Sequence, residues 1–168
     1  MYSARAVANY FLKRGRREGV ELDPLKLQKL IFFAHGWHLA IRKQPLVNER
    51  AEAWPYGPVF PSVYHEFKRH GRDGIRRLAI DWVDGEPWVP VVPETATEAR
   101  AILNRVWEVY GNLPGTRLVR MTHQKDGPWA QTWVNDARSG KIKGVDIPED
   151  SIQQYFERAA QEQARDAV

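Results

Sequence analysis

Apolar residues recur at three-and-four spacing along the stretch from Leu25 to Leu39, where Leu27, Leu30, Ile31, Ala34, Trp37 or His38, and Ile41 would share one face of a helix. Phe32 and Phe33 add apolar surface beside that stripe, so this helix is hydrophobic over more than the usual third of its circumference. It must be central, with other helices packed on it. Its start is written just before it: Asp23 can accept hydrogen bonds from the first free backbone N–H groups, and Pro24 has no N–H to leave unpaired.

The same periodicity predicts the neighbours. Ala4, Val7, Ala8, Phe11 and Leu12 mark a first helix from about Ser3 to Arg17, ending near Gly15 or Gly19. Val63, Tyr64 and Phe67 mark a short helix that stops at about Gly71. Thr95 and Glu98 stand at capping-box spacing ahead of Ala99, Ile102, Leu103, Val106, Trp107 and Tyr110, with Gly111 closing that helix. A short helix over Thr116 to Thr122 and another from Pro128 to about Asn135 follow, then a surface loop from Arg138 to Val145. Pro148 opens a last helix with Ile152, Tyr155, Phe156, Ala159 and Ala160 turned inward, and the polar stretch 161–168 is expected to fray. Two weak strand pairs are predicted: Leu46-Val47 with Ala51 to Trp54, and Trp82-Val83 with Trp88-Val89. The expected fold is mainly α, a single compact helical domain over 1–168 with six or seven helices and one or two small β-hairpins.

Composition narrows the function without naming it. The 168 residues are 43% hydrophobic and 27% charged, an ordinary globular balance. There is no cysteine, which removes disulfides, thiolate metal sites and a cysteine nucleophile together. Met1 to Leu12 lacks the apolar run of a signal peptide, and no window approaches about 18 uninterrupted apolar residues. A cytoplasmic protein with no membrane partner is expected. The net charge of +4 favours acidic partners. Its two clusters, Arg14, Arg16 and Arg17, and Lys68, Arg69, Arg72, Arg76 and Arg77, fall where helices end, where cations complement the helix dipole.

Motifs that carry chemistry are missing. His35 and His38 stand one helical turn apart, but no spacing supplies a third ligand, and His65-Glu66 lacks the second histidine of a zincin. Neither Gly71 to Gly74 nor Gly140 to Gly144 has the spacing of a phosphate-binding loop. Ser62, Ser139 and Ser151 lack a nucleophile elbow, and the paired acids Glu49 with Glu52 and Glu149 with Asp150 sit among polar neighbours. No catalytic residue, metal or cofactor is expected, and the chain is not read as an enzyme. The distinctive feature is aromatic content, seven tryptophans and six tyrosines. Trp54 and Tyr56 lie in Trp54-Pro55-Tyr56-Gly57-Pro58-Val59-Phe60-Pro61, where three prolines stiffen the backbone and orient the rings as interface anchors.

Taken in order, Leu25-Lys26-Leu27-Gln28-Lys29-Leu30-Ile31-Phe32-Phe33-Ala34-His35-Gly36-Trp37-His38-Leu39, then Glu52 to Tyr64, Thr122-His123, Gly127-Pro128-Trp129 and Ile147 to Phe156 resemble the Panacea domain, the SocA-like antitoxin family. The resemblance covers about Val7 to Phe156; the insert from Ile75 to Pro93 matches least, and its two tryptophans suit a partner surface of this chain's own. It implies a helical antitoxin that neutralises a cognate protein toxin, usually encoded beside it, by direct binding. Leu27, Leu30, Ile31, Phe33, Ala34 and Trp37 would then be core, with Gly57 and Pro58 shaping the loop. Lys26, Lys29, Trp54, Tyr56 and Tyr64 are the candidates for a partly exposed partner groove. Two alternatives stay open: an adaptor that delivers its partner to a protease, and a DNA-binding autorepressor. The latter ranks last because no helix reads as a nucleic-acid recognition helix.

Overall fold

The computed structural model describes residues 1–139 and 144–166. Its centre is helix α2 (Pro24–Arg42), which begins as the sequence requires, with Pro24 in the first turn and the Asp23 side chain accepting from the Lys26 N–H at 2.8 Å. From Lys26 to Ala40 every residue but Trp37 is buried. Around it pack α1 (Ala4–Glu18), α3 (Pro61–Phe67), α4 (Thr97–Tyr110), α5 (Gly115–Thr122) and α7 (Glu149–Asp166). Helix α6 (Pro128–Ser139) joins the rim, and a 3-10 turn over Lys68–His70 extends α3. The domain is mainly α, with seven helices and two small antiparallel strand sets among the described residues.

Several boundaries depart from the sequence pattern. Helix α4 starts at Thr97 rather than at a Thr95 cap, because the Ala96 N–H turns back to the Pro93 carbonyl and takes Thr95 into that turn. Glu98, freed from capping, pairs with Arg42 at 2.7 Å. Trp37 is partly exposed and Ile41 exposed, since α2, α4 and α7 leave an open groove between them, lined by Trp37, Ile41, Ile102, Val106 and Tyr110. Helix α6 continues to Ser139, and the predicted loop shrinks: Val145 lies in a strand, and 140–143 fall outside the described residues. Helix α7 runs to Asp166, with 161–165 exposed.

Strand pairing is where local pattern misleads most. Strand β1 (Glu52–Trp54) pairs with β2 (Gly57–Val59), register Glu52↔Val59 and Trp54↔Gly57, and on its other edge with β5 (Val145–Asp146). Leu46-Val47 does not pair with it. Both edges of β1 are taken, one by β2 across the two-residue turn at Pro55-Tyr56 and the other by β5. Leu46 and Val47 instead anchor the N-terminus: Tyr2 donates to the Leu46 carbonyl at 2.8 Å and accepts from Asn48 at 2.9 Å. The second hairpin forms as predicted but tighter, β3 (Asp81–Val83) with β4 (Glu86–Trp88) around Asp84-Gly85. Both turn residues have positive φ, 52° and 83°, the twist that suits a two-residue hairpin.

Candidate partner-binding surface

Polar residues that interrupt the apolar faces of α1 and α2 are pegs for the non-helical segments. A buried backbone segment outside helix or sheet must find partners, and here side chains on the helices supply them. Gln28 is bidentate to Phe60, accepting its N–H at 2.9 Å and donating to its carbonyl at 3.1 Å. Lys29 donates to the Pro58 carbonyl at 2.9 Å, and from the opposite side the Trp129 indole donates to the Trp54 carbonyl at 2.9 Å. The proline-rich hairpin is thus bolted to α2 and α6. Gly57 is obligatory in it: its φ is +99°, and a Cβ there would lie 2.9 Å from both Lys29 Nζ and Thr122 Oγ1.

Rings close over this support. Trp54 meets Tyr64 edge-on with centroids 4.6 Å apart, and its indole donates to Glu52 at 2.8 Å. His123 lies flat on Trp129 at 3.7 Å, and Trp129 stacks on Trp133 at 5.7 Å. Burial, and then the nearby Lys29 charge, lower the His123 pKa, which favours the neutral imidazole. Against this geometry the predicted groove is corrected. Lys29 is fully buried and Lys26 nearly so, and Trp54 is a packing residue of the hairpin rather than a displayed ring. Tyr64 is half-buried against it. Only Tyr56, at the turn and 73% exposed, is held out to solvent as an anchor would be. Gln28, Thr122, His123 and Trp129 belong to the cluster although nothing in the α2 pattern singles out Gln28. Its clue is a buried position on a helix that is buried all round, where an amide needs a fixed partner.

Lys29 makes the cluster sensitive to pH. Its amine pairs with no carboxylate among the described residues, and burial lowers its pKa to about 7 from a normal 10.5. Between those values the unfolded chain holds a proton that the folded chain has released, so stability rises with pH across that window and the deficit is complete below pH about 7. The expected slope approaches about 1.4 kcal/mol per pH unit, one proton's worth. Urea unfolding from pH 7 to 9.5 checks it: Lys29→Met should flatten the rise relative to wild type. Parallel slopes in the two proteins would refute the assignment.

The paired histidines are pegs as well. His35 Nδ1 accepts from the Val47 N–H at 3.3 Å, and His38 Nδ1 meets the Gln44 carbonyl at 2.7 Å. Burial, reinforced by His38, lowers the His35 pKa to about 4, so its ring is neutral near pH 7. No helix among the described residues is long and apolar enough to cross a membrane.

The residues that build this clamp, from Gln28 and Lys29 on α2 to Trp129 on α6, lie within one stretch that matches a known family. The Antitoxin SocA-like, Panacea domain family model matches residues 27–130, from the second turn of α2 to just past Trp129, and the chain belongs to that family. Within it, the chain is 38% identical over 128 residues to Antitoxin SocA of Caulobacter vibrioides (strain NA1000 / CB15N), covering 75% of this chain and 68% of that relative. No solved structure matches it.

Proposed function

We propose that this chain is an antitoxin that neutralises a cognate protein toxin by direct binding, covering the toxin's active site or substrate entrance. Membership of the antitoxin family is the observation that carries the reading. The geometry supports contact over chemistry: Gln28, Lys29, His35 and His38 are engaged with the protein's own backbone, and Tyr56 is held out on a stiff turn. An interface of standard size, on the order of 1,600 Å² in total, suffices for occlusion, and the cationic surface would speed encounter with an acidic face.

The test is co-expression with the protein encoded by the adjacent open reading frame. Growth should be rescued and the two chains should co-purify; killing despite a normal level of this chain would reject the reading. Tyr56→Ala should weaken the complex without lowering the melting temperature, because the ring is exposed. Rescue that vanishes in protease-deficient cells while binding persists would move the mechanism from occlusion to delivery for degradation.

A further inference from the structure

The densest exposed apolar surface among the described residues lies on the excursion between α3 and α4. Ile80, Trp82, Val83, Trp88, Val89 and Val91 are all exposed, Trp82 at 71% and Trp88 at 53%. The register sets Trp82 on one face of the hairpin and Val83 with Trp88 on the other, so apolar side chains are displayed on both sides of the ribbon, and exposed apolar surface of this kind marks interaction sites. Two three-residue strands cannot order themselves alone, yet this hairpin is tied down at its base. Asn9 of α1, fully buried, donates to the Ala79 carbonyl at 3.0 Å and the Pro90 carbonyl at 2.9 Å, and accepts from the Ala79 N–H at 2.7 Å. Arg5 pairs with Asp81, and Ala79 and Val92 are buried beneath. The tryptophans are therefore displayed on a support ordered before any partner arrives, which lowers the entropy lost on association.

Charge identifies what fits. Where the chain leaves β4, Val91 to Pro93 form one wall of a groove whose other side is Tyr10, Lys13, Arg14 and Arg17 of α1 with Arg100 of α4. Arg14 and Arg17 share Glu18, Arg17 at 3.6 Å, and Arg100 donates to the Val92 carbonyl, whereas Lys13 and the outer face of Arg17 are exposed. Four cations here face Glu94 and Glu18, while the hairpin tip carries Asp84 and Glu86. An occupant with carboxylates at the groove end and apolar side chains, free of carboxylates, beside the acidic tip fits this arrangement.

We propose that the β3–β4 hairpin and this groove are the docking surface for the toxin, and that what they hold is an acidic segment of the toxin bearing apolar side chains. The inference rests on the proposed antitoxin role and deepens it. Exposed tryptophans on an ordered support are the residue type that dominates interface energetics, and the cations govern encounter.

The experiment measures binding of the full chain to the separately purified product of the adjacent open reading frame, with growth rescue in parallel. Trp82→Ala/Trp88→Ala, folded as judged by an unchanged melting temperature, should bind at least roughly thirty-fold more weakly and lose rescue. Lys13→Glu/Arg17→Glu should associate about tenfold more slowly and lose the salt dependence of the wild-type rate. If wild type neither binds nor rescues, the antitoxin reading fails and the docking surface with it. If wild type binds and the tryptophan variant stays within about threefold of it, the docking surface alone is overturned. Salt dependence that survives the charge reversal overturns the acidic occupant.

Discussion

Gly36→Ala will lower the melting temperature by roughly 6–12 °C, although alanine is the better helix former. A Cβ built at Gly36 falls 2.2, 2.4 and 2.6 Å from three atoms of the Phe156 ring, closer than carbon atoms can approach. The ring has nowhere to go. It is boxed by Phe32, Phe33, Trp37 and Tyr155, with centroids 6.1, 6.2, 5.2 and 5.4 Å away. Relief must come from α7 moving off α2, which uncovers Ile152 and Phe156, both buried, along the most extensive helix contact in the fold. Overpacking and lost burial together cost about 4 kcal/mol, and improved helix propensity returns about 1 kcal/mol, leaving about 3 kcal/mol. Phe156→Leu in the same chain should recover part of the loss, because it removes the Cε2 and Cζ atoms that clash. A single variant melting within about 2 °C of wild type would show that the α2–α7 contact is looser than its geometry.

Asn9→Leu will release the excursion between Ile75 and Pro93 from the body of the protein. Leucine fills the space but leaves three buried backbone groups, the Ala79 N–H and the Ala79 and Pro90 carbonyls, without the partner Asn9 supplies. Each uncompensated group costs about 1–3 kcal/mol, more than two short strands can offset. The segment can escape by opening to water while Arg77 still holds Glu66 and Ile75 still donates to the Leu22 carbonyl. Local opening is therefore expected ahead of global unfolding. Amide exchange over 79–92 should accelerate by at least about a hundredfold, while the amides of α2 keep most of their protection. Asn9→Asp separates the terms, since it can still accept from Ala79 but donates to neither carbonyl. Unchanged exchange over 79–92 in Asn9→Leu would mean the hairpin is held by something other than Asn9.

Helices and their ends were legible where the signal is local. Ser3, Asp23 and Pro24 start α1 and α2 as their chemistry requires, and apolar spacing placed the inward faces of α1, α4 and α7. The Asp84-Gly85 turn lies inside the predicted second hairpin. Less was legible at the candidate surface. Five residues suited to contact were read from the sequence, but Lys29 is an internal peg, Lys26 is nearly covered and Trp54 packs on Tyr64. A lysine looks the same in sequence whether its amine meets solvent or the carbonyl of Pro58, twenty-nine positions away.

The amino-acid order alone determined that this is a mainly helical domain built on a helix buried all round, because periodicity, capping and proline act over one or two turns. It also carried the family, whose ordered motifs were read from α2 to Phe156 and whose model matches residues 27–130. Only the tertiary structure decided which strand pairs with β1, which polar residues face inward as pegs, and that of the aromatics read as contact candidates Tyr56, Trp82 and Trp88 are displayed while Trp54 is packed. Each of those depends on what distant segments bring to the same place. A side chain's exposure is settled by its neighbours in space, and those are set by packing around α2 rather than by any short stretch of chain.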